Sequence, residues 1–577
     1  MSLENVHFDI SGSKAGELHD SLRAASGIFT ATKADLPQPA DILAAANADY
    51  ARILGALYAK GYYGGTVSIK ADGREVADIS PLSVPVAISS IIIAIRTGPA
   101  FQFGRLRIAP TYPGTVLPEG FETGAPAKAG LLRAAVAAST TTWRENGHAK
   151  VEIARQSVVA DHGAHSLSAD VTISPGPLVH FGQLRQKKTS TVRPDAVTRI
   201  AGMSDGEVFT PGDVAQVAER LRRTGAFRSV SVREAKQLGS ENTLDIELTL
   251  VDEKPRRLGF GGELSSLEGL TLSGFWLHRN LLGGAERLRI DGEVANIAGQ
   301  TGGIDYSLGA RLERPAVFGP DTSAFVTFGL ERLDEPDFVS DQAHVGIGAT
   351  RIVSDNLEIQ QMAELRFSYV EDGLGSRDFT LLAFPGQASL DRRDDRLDAK
   401  GGSFLHAEIT PYLGLVGTTS GLRTLLEARA YRSFGQEQRM TFATRARIGG
   451  VFGPGTAQTP PDYLFYSGGG GTVRGQPYQS LDVDLGGGVQ SGGRSFIGLS
   501  GELRGAVSRK ISLVGFADAG YIGPESFYDG SGNWHSGAGI GLRYATPVGP
   551  IRLDVATPLS GNTGDGIQIY VGIGQAF

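Results

Sequence analysis

Three stretches of the chain hold residues that could do chemistry. Gly202-Met-Ser-Asp-Gly206 matches the G-x-S-x-G pattern of a serine nucleophile. Such an elbow needs a strand before it and a helix directly after it. Here a helical stretch precedes Ser204, and the next helix starts only after Thr210-Pro211, so Ser204 reads as a loop residue between two helices. His162 and His165 are spaced like a ligand pair, but Asp161-His-Gly-Ala-His165 contains a glycine and reads as an exposed turn. Asp391-Arg-Arg-Asp-Asp-Arg-Leu-Asp398 has the acids of a calcium loop, yet its arginines would neutralise them, so a solvated loop is expected. Cysteine is absent, which excludes a thiolate zinc site, a disulfide scaffold and a cysteine nucleophile. The expectation is no enzyme activity and no cofactor.

The remaining chemistry is electrostatic. Tyr466-Ser-Gly-Gly-Gly-Gly-Thr-Val-Arg-Gly475 is glycine-rich, but it lacks G-K-[ST] and a following helix, so it is no phosphate loop. Its neighbours carry charge on one parity only. Glu502 and Arg504 oppose Ile497, Leu499 and Leu503, and Asp518 opposes Ala517 and Ala519. Arg543 opposes Ile540, Leu542 and Tyr544, while Arg552 and Asp554 oppose Ile551, Leu553 and Val555. One face of each strand is apolar, and a lipid-facing charge costs about 2–4 kcal/mol, so the charged face is a lumen. Two readings of the loop stand. Either it is a flexible surface loop over charges that solvate a pore, or it folds inward and Arg474 pairs with Glu502 or Asp518.

The elements that would position these residues follow from periodicity. After Pro255 helical spacing disappears, and sixteen candidate strands run to Phe577 between Gly, Asp, Asn and Pro. An even number of antiparallel strands closes a barrel and leaves no unpaired backbone in lipid. In the last strand Ile567, Ile569, Val571, Ile573 and Phe577 share the apolar face, and Gln568, Tyr570, Gly572 and Gly574 take the other. No stretch reaches about 18 apolar residues, so no membrane-spanning helix is expected. Ser83 to Ile95 is short, β-branched and interrupted by serine, and reads as a strand. The start, Met1-Ser-Leu-Glu-Asn5, lacks signal-peptide character, which leaves a cytoplasmic protein or a mature secreted sequence with a replaced start; the barrel-like C-terminal half favours the second. A net charge of −7 without a long basic run argues against a nucleic-acid partner.

The front half repeats. Ile93-Ala-Ile-Arg-Thr-Gly-Pro-Ala-Phe-Gln-Phe-Gly-Arg-Leu-Arg107 matches Val171 to Arg185 at an offset of 78, and a third copy begins near Leu248. Within each period a helical stretch ends at a glycine turn and a strand follows: Ala59-Lys-Gly-Tyr-Tyr63, Arg144-Glu-Asn-Gly-His148 and Arg223-Thr-Gly-Ala-Phe227. Each unit should hold two helices against a small sheet. The expected domains are 1–99, 100–176, 177–254 and the barrel 255–577.

These units resemble POTRA domains, the polypeptide-transport-associated modules. The barrel resembles the Omp85 superfamily. Val473-Arg-Gly-Gln476 is similar to its VRGY/F loop motif, with Gln476 in place of the aromatic residue. Phe516-Ala-Asp-Ala-Gly520 resembles its F-x-D-x-G strand, and Gly549 to Asp554 its late-strand motif. Trp276 to Gly283 and Asp391 to Asp398 resemble early- and mid-barrel segments. Three POTRA-like units point to the TamA-type subfamily, the outer-membrane subunit of the translocation and assembly module. The resemblance implies a non-enzymatic protein of the bacterial outer membrane with its N-terminal units in the periplasm. It implies insertion or secretion of client proteins such as autotransporters, and a periplasm-spanning, inner-membrane-anchored partner at the first unit. A monomeric barrel in the lipid bilayer is expected. The alternative is a polypeptide-secretion channel or passive pore. A lateral seam is expected between the first strand, Arg257 to Ser265, and the last, Ile567 to Phe577, thinned by Gly259, Gly261, Gly572 and Gly574.

Overall fold

The computed structural model describes residues 5–12, 15–31, 38–80, 84–547, 549–561, 566–573, 575 and 577. The chain forms two compact units: residues 1–184, 204–215 and 233–246 make one, and residues 185–203, 216–232 and 247–577 the other.

Three small sheets precede the barrel, and they share a three-strand arrangement in which the last strand lies between the first and the second; the first sheet adds a two-residue edge strand, Arg74–Glu75. In the first segment Ser90–Arg96 pairs in parallel with Asn5–Ser11 and antiparallel with Thr66–Ala71. In the second, Ser166–Ser174 lies between Gln102–Ala109 and Glu152–Asp161. In the third, Thr243–Asp252 lies between His180–Gln186 and Phe227–Glu234. The alternation in Ser90–Arg96 explains why the sheet holds a helix. Ile91, Ile93 and Ile95 are buried on one face and pack with Ile53 and Leu57 of helix Pro39–Ala59. Ser83 of the expected strand lies outside the described residues.

The second segment departs from the two-helix expectation. It has a single helix, Ala129–Glu145. The stretch before it carries Pro110, Pro113, Pro118 and Pro126 with Gly114, Gly120 and Gly124. Each proline removes a backbone donor and clashes with the preceding turn, so no helix propagates there. Ser204 lies exposed in the turn between helices Pro194–Ala201 and Pro211–Arg223. His162 and His165 lie in an exposed turn.

From Arg256 onward the chain closes a sixteen-stranded antiparallel barrel. One strand is split. Gly375–Ala383 and Gly386–Asp391 both pair with Leu357–Asp372 on one side and Gly401–Val416 on the other. Phe384-Pro385 separates them, and Pro385 has no N–H to donate to the ladder. Apolar side chains such as Phe260, Leu308, Ile347, Leu513 and Ile540 cover the outside. Charged and polar groups fill the inside. This is the reverse of a soluble protein, and it suits a wall standing in hydrocarbon.

Candidate functional site

The chain enters the barrel at Arg256, on a rim we call proximal; Ser265 ends the first strand at the distal rim. The strand Met440–Phe452 rises to the distal rim, and Ser495–Ala506 descends from it. The long connection between them folds back into the lumen. Its residues Tyr463, Leu464, Phe465, Val473, Arg474 and Gln476 are all buried. Of the two sequence readings of this loop, the structure has the inward one.

Arg474 is the centre of the site. It is 2 % exposed. Its Nε donates to Asp518 Oδ2 at 2.8 Å and its Nη2 to Asp518 Oδ1 at 3.1 Å, a two-point fork. Its Nη1 donates to Glu502 Oε1 at 2.7 Å and to Asp554 Oδ2 at 3.3 Å. Its own backbone N–H reaches Asp518 Oδ2 at 3.2 Å. The guanidinium lies 3.6 Å from the centroid of the Phe516 ring. Phe516 and Asp518 point the same way because they are two residues apart on one strand.

Two further arginines complete the cluster. Arg504 Nε donates to Glu502 Oε2 at 2.8 Å. Arg543 pairs closely with Asp554, and its Nη2 lies 3.8 Å from Glu502 Oε1. Arg474, Arg504 and Arg543 thus face Glu502, Asp518 and Asp554, three charges against three. An isolated buried charge costs several kcal/mol, and the balanced set avoids this only while complete.

Backbone geometry seats the loop. Gly475 has φ +96°, and a Cβ there would stand 2.6 Å from the Thr557 carbonyl oxygen. Its N–H donates to the Tyr570 hydroxyl at 3.2 Å. Gln476, fully buried, donates from Nε2 to the carbonyls of Ser536 at 2.7 Å and Ser560 at 2.9 Å. An aromatic residue there could not satisfy both carbonyls, so the departure from the family motif has a local reason. Gly470 N–H donates to Glu268 at 3.0 Å, which ties the loop to the first hairpin.

The first and last strands close the barrel at a seam. Among the described residues, Leu264 pairs with Val571 and Ser265 with Tyr570, and the register holds no other pair. The first strand meets the second over ten pairs, and the last strand meets its other neighbour over six. Ser266 adds hydrogen bonds to Ile569 at 3.0 and 3.1 Å. Gly259 and Gly261 pair with Phe275 and Ser273 of the second strand, and Arg257 with Leu277. Among the described residues none of the three has a register partner in the last strand. Gly574 lies outside the described residues. Gly572 acts differently from expectation: Arg552 crosses over it on the lumen side to pair with Glu263 of the first strand.

Phe577 corrects the sequence reading. It is buried, packed with Ala399, Tyr431 and Ala443, and its ring lies 5.7 Å from both Arg445 and Arg504. The regular strand ends at Ile573, so alternation no longer decides which face a later residue takes. Sequence reasoning also missed a basic anchor outside the lumen. Arg220 and Arg223 of helix Pro211–Arg223 both bond to Asp321 in a proximal-rim turn, at 2.8 and 2.5 Å. Asp391 pairs with Arg393 at 2.9 Å and Arg396 at 3.2 Å, so this aspartate is neutralised by the arginines of its own stretch.

An apolar-clad closed barrel, an inward loop held by a buried arginine cluster and small α/β segments ahead of it define an outer-membrane-type barrel with a plugging loop. Residues 280–577, more than half the chain, match the family model described as the Omp85 superfamily domain. The chain belongs to the Omp85 superfamily. Its fold is similar to BamA from Haemophilus ducreyi lacking POTRA domains 1–3, with 15 % identity over 82 % of this chain and 99 % of that one, TM-score 0.64. It is also similar to CdiB from Acinetobacter baumannii, with 11 % identity over 83 % of this chain and 90 % of that one, TM-score 0.52.

Proposed function

We propose that the protein is an outer-membrane assembly or translocation factor of the TamA type, which helps insert or secrete client proteins such as autotransporters. The observation that carries this reading is the seam. Every other pair of neighbouring barrel strands is joined by chain, whereas among the described residues this closure rests on two register pairs and a few further hydrogen bonds and ion pairs. A seam of that kind can open as an exit from the lumen and offer a strand edge to a client by β-augmentation. The docked loop fits this reading better than a passive pore, because it occupies lumen that a pore would leave to water. On this reading residues 1–99, 100–176 and 177–254 are three POTRA-like domains in the periplasm, before a monomeric barrel at 255–577. The first of them would meet an inner-membrane-anchored partner.

Reconstitution in liposomes tests the proposal. An unfolded test outer-membrane protein is added, and its folding rate is followed by gel mobility. Faster folding with small conductance is expected. A large steady conductance with no effect on folding would assign the protein to the pore class instead.

A further inference from the structure

A cavity of about 630 Å³ opens at the proximal rim of the lumen. Loops that join consecutive strands build it, and the electrostatics of its lining are one-sided. Lys400, Arg439, Arg504, Arg509, Lys510 and Arg543 line it, against only Asp398 and Glu437. Three of the cations are already paired, Arg439 with Glu437 at 2.5 Å, Arg504 with Glu502 at 2.8 Å and Arg543 with Asp554, and Asp398 accepts from Gln575 at 2.8 Å. Lys400, Arg509 and Lys510 are exposed and have no carboxylate within ion-pair distance among the described residues. Arg504 is 5 % exposed, yet its Nη1 makes no hydrogen bond among the described residues. A buried guanidinium N–H without an acceptor is costly, and an anion in the cavity would supply one.

We propose that this cavity binds an acidic stretch of an unfolded polypeptide, whose carboxylates meet the rim cations and Arg504. Two observations favour a polypeptide over a lipid headgroup. Arg504 and Arg543 point into the lumen, while Leu503 and Leu542 beside them are exposed on the outer face. A headgroup in the surrounding bilayer would have to enter the barrel to reach them. Ala506, Val507, Ala545 and Pro550 also line the cavity between the charges. That alternation of apolar and basic lining suits a chain with mixed side chains. The inference rests on the proposed client-handling role only for the source of such a segment.

The test uses the full chain in detergent micelles and a fluorescein-labelled octaglutamate peptide, read by anisotropy without any client protein. Binding is expected that weakens as salt is raised, because the rim charges are exposed. The Lys400→Gln/Arg509→Gln/Lys510→Gln variant should bind about tenfold more weakly, the sum of three modest exposed pairs. Arg509→Gln and Lys510→Gln alone should each weaken binding about two- to threefold. Octalysine should not bind. The proposal is overturned if octaglutamate does not bind, if neither the triple nor the single variants weaken it, or if glycerol phosphate displaces it at equal charge. A failed binding test leaves the seam's role standing, since no assembly step enters the measurement.

Discussion

Asp518→Asn is the most informative single change in the lumen. Asparagine keeps the shape of the aspartate and removes only its charge. Arg474 then loses the charged partner of its two-point fork, at 2.8 and 3.1 Å. The cluster passes from three charges against three to three arginines against Glu502 and Asp554. Because Arg474, Glu502 and Asp554 are all almost fully buried, water cannot screen the excess. Breaking a buried pair by neutralising one partner costs about 3–5 kcal/mol. The loop has an escape that the strands lack: it can leave the lumen and hydrate Arg474. At 1.4 kcal/mol per tenfold, even the lower figure raises the undocked population about a hundredfold. Limited proteolysis within Tyr466–Gly475 reads this population when opening is fast relative to cleavage. Cleavage should speed up by about that factor, while the heat-dependent gel mobility of the barrel persists. The double change Arg474→Leu/Asp518→Asn restores two charges against two, and should recover barrel stability lost in the single variant. Cleavage in Asp518→Asn within twofold of the unaltered protein would refute the claim that charge balance holds the loop.

Three other changes bear on separate parts of the account. Gly475→Ala forces a side chain into φ +96° and against the Thr557 carbonyl, so about 1–3 kcal/mol of docking should be lost, seen as faster loop proteolysis. Asp321→Ala removes the acceptor shared by Arg220 and Arg223; amide exchange in helix Pro211–Arg223 should quicken by an amount equivalent to about 1.5–3 kcal/mol. Arg552→Gln takes away the bond to Glu263 across the seam. Since Glu263 is half-exposed, the effect should be only about 0.2–1 kcal/mol, read as slightly faster solvent exchange at Leu264.

Much of the barrel was legible because strand alternation is a local property. Leu503, Leu542 and Leu553 face outward while Glu502, Arg543 and Asp554 face inward, as their parity demands. The partnership of Arg474 with Asp518 was readable only by joining that parity to a motif likeness, since 44 residues separate them. Asp554 was recognised as a lumen charge but not as a partner of Arg474, because which strands meet across a lumen depends on closure and tilt. The seam was placed between the right strands for an incomplete reason. Glycine content is visible in a sequence, whereas the stretch over which the first and last strands pair is set by barrel closure and tilt. Phe577 was misread because it lies beyond Ile573, the last residue of the described strand. The missing helix of the second segment was signalled by its prolines; the repeat spacing outweighed them.

The central claim is that the seam opens while the protein works. Leu264 and Val571 are register partners across it, and the chain has no cysteine of its own. In the Leu264→Cys/Val571→Cys variant, oxidation should join the strands, and the liposome folding assay should then fall to the rate of protein-free vesicles and recover on reduction. A cross-linked barrel that still accelerates folding of the test protein as the unaltered one does would contradict the account.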